Sequence, residues 1–370
     1  MKDFKNYSLK EHNTFGIDAK CKRYLEFETD SEAIEVAEIL RKSRLPYIII
    51  GGGSNLLLTK DFDGIVVRSG IKGHKFEESG VGSQESGVRS QESGVRSQES
   101  GVRSQESGVW SQESEVWMTC GSGEVWDDMV ATSIAAGYYG MENLSLIPGD
   151  VGASAVQNIG AYGMEAKDLI RCVQMIEIPT GKPWMIGNEE CEYGYRQSRF
   201  KQDWKNRFLI TRVTYGLSKT FRPHLDYGNI RVELERKSIQ EPTAQQLRDI
   251  IIEIRNAKLP DPKVEGNAGS FFMNPIVTKD KYEKLAKLYP EMPHYRVDSR
   301  HEKIPAGWMI EQCGWKGKTL GRAGVHDKQA LVLVNRGGAT GDEIVTLCEA
   351  IRKDVREKFD VVINPEVNII

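Results

Sequence analysis

Ser270 carries a hydroxyl that no bulky neighbour covers, in the run Lys258-Leu-Pro-Asp-Pro-Lys-Val-Glu-Gly-Asn-Ala-Gly-Ser270-Phe-Phe-Met-Asn274-Pro275. Gly266 and Gly269, on either side of Asn267-Ala268, open backbone angles closed to other residues, while Pro260, Pro262 and Pro275 stiffen the approaches. A bare, rigidly held Ser of this kind looks like a site. The same composition also makes plain turns. A second segment, Pro148-Gly149-Asp-Val-Gly152-Ala153-Ser154-Ala-Val-Gln-Asn158-Ile-Gly160-Ala161-Tyr162-Gly163, spreads four glycines among small residues with almost no charge. Such a run suits backbone laid against a flat, extended ligand. A third, Gly51-Gly52-Gly53-Ser54-Asn55, follows the apolar run Tyr47–Ile50 and reads either as a phosphate cradle or as a tight turn. A dinucleotide fingerprint would need its last glycine where Leu56 stands, which disfavours a nicotinamide-type Rossmann unit.

The elements that must position these groups are mixed. Apolar spacing after an acidic first turn predicts an amphipathic helix over Ser31–Arg44, and similar spacing predicts helices over Glu124–Ala136, stopping at Gly137, over Thr243–Ala257 and over Asp342–Phe359. Strands are expected at Tyr47–Ile50, Gly64–Arg68, Val116–Cys120, Cys172–Ile178, Phe208–Tyr215, Leu331–Val334 and Val361–Ile363, with a turn at Thr180–Pro183. From Ser79 to Trp117 runs a tandem repeat with the commonest unit Ser-Gly-Val-Arg-Ser-Gln-Glu. Each unit offers one Val (Val81, Val88, Val95, Val102, Val109) beside a helix-weakening Gly, so a coiled-coil seam fails. With so little apolar surface, the composition predicts a disordered, solvated insertion in one connection of a sheet.

At 370 residues the chain is long enough for two or three domains. A net charge of -3 with no basic stripe argues against a nucleic-acid partner. Cys21, Cys120, Cys172, Cys191, Cys313 and Cys348 are scattered, which suggests neither a metal site nor a disulfide framework. No run is apolar enough to span a bilayer and no secretory leader is evident, so the expectation is a cytoplasmic protein without a membrane partner.

Asn13-Thr-Phe-Gly-Ile17, Gly51–Leu57, Pro148–Gly163, Gly194-Tyr-Arg-Gln-Ser198, Lys258–Pro275 and Pro365-Glu-Val367 together resemble the UDP-N-acetylenolpyruvoylglucosamine reductase (MurB) family, flavoenzymes of peptidoglycan precursor synthesis. The resemblance spans the chain except about Ser79 to Trp117. It implies an α+β fold: a two-part FAD-binding module of the vanillyl-alcohol-oxidase (PCMH) type at residues 1–220, with subdomains near 1–70 and 71–220 and the insertion near 79–115, then a substrate-binding domain at 221–370. It further implies bound FAD, NADPH as a transient hydride donor in ping-pong exchange, UDP-N-acetylglucosamine enolpyruvate as substrate, and a monomer. By the same resemblance Arg196 holds the substrate carboxylate, Ser270 donates the proton and Glu366 stabilises the enol form while protonated. Tyr195, Tyr227, Lys258, Asn274, Tyr295 and Gln329 match substrate positions. Gly51, Gly52, Gly53, Ser54 and Asn55 would surround the cofactor diphosphate, with Pro148, Gly149, Gly152, Ala153, Ser154, Asn158, Gly160, Ala161 and Tyr162 along the flavin. Two rivals stay open. Another flavoenzyme of the superfamily would have no reason to keep Ser270, Tyr227 and Lys258 together, and would commonly attach flavin through a His or Cys, for which His12 and His74 offer no motif. A non-enzymatic flavin- or nucleotide-binding scaffold would use the insertion to recruit partners.

Overall fold

A computed structural model describes residues 1–78 and 115–370; the repeat as far as residue 114, and the expectations attached to it, lie outside the described residues. The first sheet has the order Lys2–Ser8, Lys20–Phe27, Phe62–Ser69, Tyr47–Ile50, antiparallel at its first pair and parallel thereafter. Among its parallel strands, Phe62–Ser69 is buried at Ile65, Val66 and Val67 because both faces of the sheet are covered there. On one face lies the helix Asp30–Lys42, started by Thr29, whose hydroxyl accepts from the Glu32 N–H at 3.2 Å. Ala33, Val36, Ala37 and Leu40 share one helical stripe, which packs on Leu25, Phe27, Ile65 and Val67. The opposite face supplies Cys21, Tyr24 and Val66 to a core shared with the C-terminal part of the chain.

The second sheet is antiparallel throughout, in the order Pro183–Gly187, Ile170–Glu177, Phe208–Ser218, Glu115–Gly121, His74–Glu78. Its hairpin turns through Gly181 at φ 70°, as the Thr180–Pro183 signal requires. The helices Trp126–Ala135 and Val151–Gln157 cover it, and the buried Trp126 indole donates to Leu144 O at 2.8 Å. Gly137, at φ 79°, follows the first of these helices as expected.

Beyond residue 220, the helices Ile230–Arg236 and Ala244–Lys258 close over a small apolar cluster that includes Tyr162. A four-stranded sheet (Gly266–Ser270, Val332–Asn335, Ala323–Val325, Thr319–Leu320) and a three-stranded one (Ile276–Thr278, His301–Lys303, Tyr295–Arg296) follow. The helix Gly341–Phe359 begins with a reciprocal Thr340/Glu343 capping box and buries Ile344, Leu347, Cys348, Ile351, Val355 and Phe359 against Phe15, Leu57, Phe271 and Ile363. The expected strand at Val361–Ile363 is not formed. Burial alternates there as in a strand, with Val362 exposed between Val361 and Ile363, but Ile363 O accepts from Arg352 Nε at 2.9 Å instead of a ladder partner. The remaining expected helices and strands lie within a few residues of their sequence bounds. Among the described residues no helix is long and apolar enough to cross a membrane.

Candidate active site

The strand Tyr47–Ile50 delivers Gly51, Gly52 and Gly53 to one wall of a cavity of about 1040 Å³. Gly53 has φ +70°, and a Cβ there would lie 2.0 Å from His12 O. Only glycine fits, because the Asn13–Ile17 loop lies directly beneath: Thr14 N donates to Gly53 O at 3.2 Å, and Asn13 ties its own loop by accepting from Ile17 N at 2.9 Å and donating to Leu9 O at 2.8 Å. Facing this turn is the second glycine segment. A Cβ on Gly51 would come within 3.1 Å of Ala153 Cβ, and one on Gly52 within 3.1 Å of Asp150 Oδ1, so the two walls meet through bare backbone. Ser54 Oγ donates to Pro148 O at 3.1 Å, and Gly149 turns beside it with φ +120°. Asp150 is buried between them; burial raises its pKa, and Arg68 at 3.3 Å works against that shift.

The reactive end is built on two left-handed residues. Arg196 (φ 55°) sits in a tight turn closed by reciprocal Gly194/Gln197 backbone bonds of 3.0 Å, and Asn158 (φ 43°) ends the helix Val151–Gln157. Asn158 knots the two together: its amide donates to Gly194 O at 2.9 Å and to Glu165 Oε2 at 3.1 Å. Arg196 then donates through Nη2 to Gly160 O at 2.6 Å and through Nη1 to Asn158 O at 3.3 Å, leaving Nε 3.2 Å from Glu366 Oε1. Strain of this kind in a non-glycine residue persists where the surroundings over-determine it.

Glu366 and Ser270 are brought together by a strand-like contact. Glu366 N donates to Phe271 O at 2.8 Å, Met273 N donates to Asn364 O at 2.9 Å, and Phe272 bridges Pro365. Asn368–Ile369 continues from there to pair in parallel with Leu56–Leu57, beside the glycine turn. Burial raises the pKa of Glu366 above the carboxylate range, opposed by Arg196 and Lys201. Lys201 donates to Arg196 O at 2.9 Å and to Gln157 Oε1 at 3.1 Å, and burial lowers its own pKa. Ser270 is exposed to the cavity after Gly269 at φ +67°.

Of the residues singled out in the sequence, Gly51 to Asn55, Pro148, Gly152, Ala153, Gly160, Ala161, Tyr162, Tyr195, Arg196, Tyr227, Ser270, Asn274 and Glu366 all line this one cavity. Tyr195 is pushed up in pKa by burial, and Lys303 Nζ lies 4.7 Å from its ring centre. Tyr227 and Tyr295 stack at 6.3 Å, with Tyr227 on the wall and Tyr295 outside it. Ser154 points into the core, where its hydroxyl bonds Val151 O and the Tyr215 hydroxyl, both at 2.7 Å. Asn158 serves the backbone knot, Lys258 is exposed at a helix end, and Gln329 accepts from Leu331 N at 3.3 Å; none of these three lines the cavity. Sequence reasoning missed Asp150, Lys201, Arg255 and Lys303, which do. Arg255 stands one helical turn before Lys258, a spacing that could have drawn attention to it.

Walled by glycines and lined also by the Arg196–Glu366 pair, the cavity fits an extended cofactor laid against backbone. Residues 102–186 match the profile of an FAD binding domain, and residues 261–370 match the UDP-N-acetylenolpyruvoylglucosamine reductase C-terminal domain. The UDP-N-acetylenolpyruvoylglucosamine reductase of Bacteroides fragilis (strain YCH46) is 47% identical over 366 residues, covering 98% of this chain and 99% of the relative. That of Pseudomonas aeruginosa is 40% identical over 362 residues, covering 98% of this chain and 97% of the relative. The crystal structure of UDP-N-acetylenolpyruvylglucosamine reductase from Thermus caldophilus shares the fold, with a TM-score of 0.61 at 21% identity over 100% of this chain and 98% of that one. With relatives this similar along its whole length, an α+β fold and an FAD-binding domain, the chain belongs to the UDP-N-acetylenolpyruvoylglucosamine reductase family.

Proposed function

We propose that the protein reduces UDP-N-acetylglucosamine enolpyruvate to UDP-N-acetylmuramate at the expense of NADPH, by ping-pong exchange within this cavity. The observation that carries the reading is the convergence of Arg196, Glu366 and Ser270, with the first two 3.2 Å apart, on a cavity that also holds the glycine walls. Residues 51–55 and 148–162 would hold FAD, which when bound would supply hydride transfer from NADPH to the enolpyruvyl double bond. The chain's own residues do the rest. Arg196 offers a planar guanidinium to the substrate carboxylate as negative charge develops on it. Glu366, whose pKa burial raises against the pull of Arg196 and Lys201, donates a hydrogen bond to the same oxygens in its protonated form. Ser270 gives its proton to the neighbouring carbon, a task open to so weak an acid only when it is held close and in line.

Tyr195, Tyr227 and Asn274 contact the sugar nucleotide, with Lys258, Tyr295 and Gln329 engaging parts of it beyond the cavity. We place the flavin contacts in residues 1–220 and the substrate contacts in 221–370, except Tyr195 and Arg196, which the first part contributes. A monomer in a reducing cytoplasm is the proposed setting, consistent with six free cysteines. The test is anaerobic: NADPH alone should bleach the yellow holoprotein, and enolpyruvyl sugar nucleotide should restore its colour. Bleaching without recovery overturns the substrate; no bleaching overturns the donor.

A further inference from the structure

Asn143 does not line the cavity, yet its side chain ties together two chain segments that do. It is buried, 2% exposed, in the short turn Glu142–Leu144. That turn is braced by the Trp126 indole on Leu144 O, by Gly140 N donating to the Glu142 carboxylate at 2.9 Å, and by Ser145 Oγ donating to Glu142 O at 2.6 Å. From this base Asn143 Nδ2 donates to Tyr162 O at 2.9 Å and to His224 O at 3.0 Å. Both partners are carbonyls, so the two protons of one amide nitrogen are shared between them, an arrangement a single hydroxyl cannot reproduce. Tyr162 belongs to the glycine wall, and His224 leads into the loop that presents Tyr227 to the cavity.

That loop has little else to hold it. Pro223–Asp226 makes no backbone–backbone hydrogen bond among the described residues, and His224, Asp226, Tyr227 and Gly228 are all exposed. Leu225 packs into the same small apolar cluster as Tyr162. The dipeptides Tyr162-Gly163 and Tyr227-Gly228 also face one another: Gly163 is at φ +82° and Gly228 at φ +68°, and a Cβ on either would lie 3.4 Å from the other's tyrosine. A segment with so few ties opens at low cost, and a ligand that must first order it loses affinity. We propose that Asn143 is a positioning residue for the sugar nucleotide: by sharing its amide between the glycine wall and the loop, it fixes Tyr227 before substrate arrives. This rests on the reading of Tyr227 as a substrate contact. Asn143 takes no part in the chemistry, so its loss falls on substrate binding and not on flavin reduction.

The experiment compares Asn143→Leu, which has a similar volume and donates nothing, and Asn143→Ser, whose one proton can serve one carbonyl at most, with the native holoprotein. N143L should keep its FAD and bleach with saturating NADPH at the native rate. Its KM for the sugar nucleotide should rise about fivefold or more, the scale of one lost hydrogen bond, with kcat held within about twofold. Chymotrypsin cleavage after Tyr227 should quicken by a similar factor, and N143S should fall between native and N143L in both measures. If N143L sheds FAD, N143S decides by the same two measures. Native KM and native cleavage in a variant that retains FAD would overturn the proposal. Loss of FAD from both variants, or a lowered melting temperature with cleavage unchanged, would also overturn it and make Asn143 a residue of the fold alone. Cleavage is read without NADPH or sugar nucleotide. Quickened cleavage in the variants, beside a native protein that never reduces the sugar nucleotide, would overturn the substrate and leave the bridge to the loop standing.

Discussion

In the proposed ping-pong scheme the side chains at the reactive end all serve reduction of the enolpyruvyl group, and single substitutions should separate that half-reaction from reduction by NADPH. Ser270→Ala is expected to leave FAD content and bleaching by NADPH near native while slowing reduction of the enolpyruvyl group severely, since only that step consumes its proton. Ser270→Cys should retain more turnover than Ala, and stopped-flow traces in which both halves slow together would remove the proton-donor role. Arg196→Lys keeps the charge but loses the planar fork, so kcat/KM should fall by about 2–4 kcal/mol of transition-state stabilisation; a loss smaller than tenfold would mean that Arg196 does not hold the developing charge. Glu366 makes a pH-dependent prediction. Its native pKa is raised above 4.5 by burial, so the folded protein binds this proton more tightly than the unfolded chain does. Its contribution to stability is present below 4.5 and is lost as pH rises through the raised value. Glu366→Gln should therefore gain stability relative to the native protein as pH climbs through that window and hold the gain above it, and urea midpoints measured for both across the range would show a flat difference if Glu366 titrates normally.

The elements that present these side chains were legible to different degrees, for physical reasons. The turn at Gly51–Gly53 was visible as a glycine run after a β-branched strand, but its reason, the Asn13–Ile17 loop beneath it, lies at a distance no local pattern encodes. That contact makes Gly53→Ala a test of the turn: with φ +70° and His12 O 2.0 Å from the new Cβ, the backbone must move, and the variant should lose at least about 3 kcal/mol by denaturant titration together with its FAD. Arg196, Ser270 and Glu366 could be picked out because short motifs surround each. Arg255 could not, since Glu253-Ile-Arg255-Asn-Ala reads as the solvated side of a helix until that helix is packed beside Tyr162. Side-chain direction was equally hidden: Ser154 looked like part of a ligand-facing small-residue run, and its hydroxyl turns inward to Tyr215. Val361–Ile363 has the composition and burial of a strand but lacks a ladder partner, which composition cannot reveal.

Across the whole molecule, residues far apart in sequence meet at one cavity, and the two sheets tolerate very different changes. The repeat joins His74–Glu78 to Glu115–Gly121, strands that already pair with Glu78 opposite Val116, and His74–Glu78 lies at the sheet's edge. Strands in that register can be joined by hairpin loops of about 2–5 residues, so replacing 79–114 with such a turn should leave FAD content and turnover unchanged and shift the melting temperature by less than about 4 °C. Loss of FAD on deletion would show that the repeat supports the cavity. The pairing of Leu56–Leu57 with Asn368–Ile369 has a consequence for biosynthesis. Asn55 and Glu366, which it sets side by side, are 311 residues apart, an interval on the order of 15 to 60 s at ribosomal rates of about 5–20 residues per second. Throughout that time the glycine turn waits without the strand that flanks it and the reactive end without its carboxylate. Any flavin captured before translation passes Ile369 meets a glycine turn that still lacks this flanking strand.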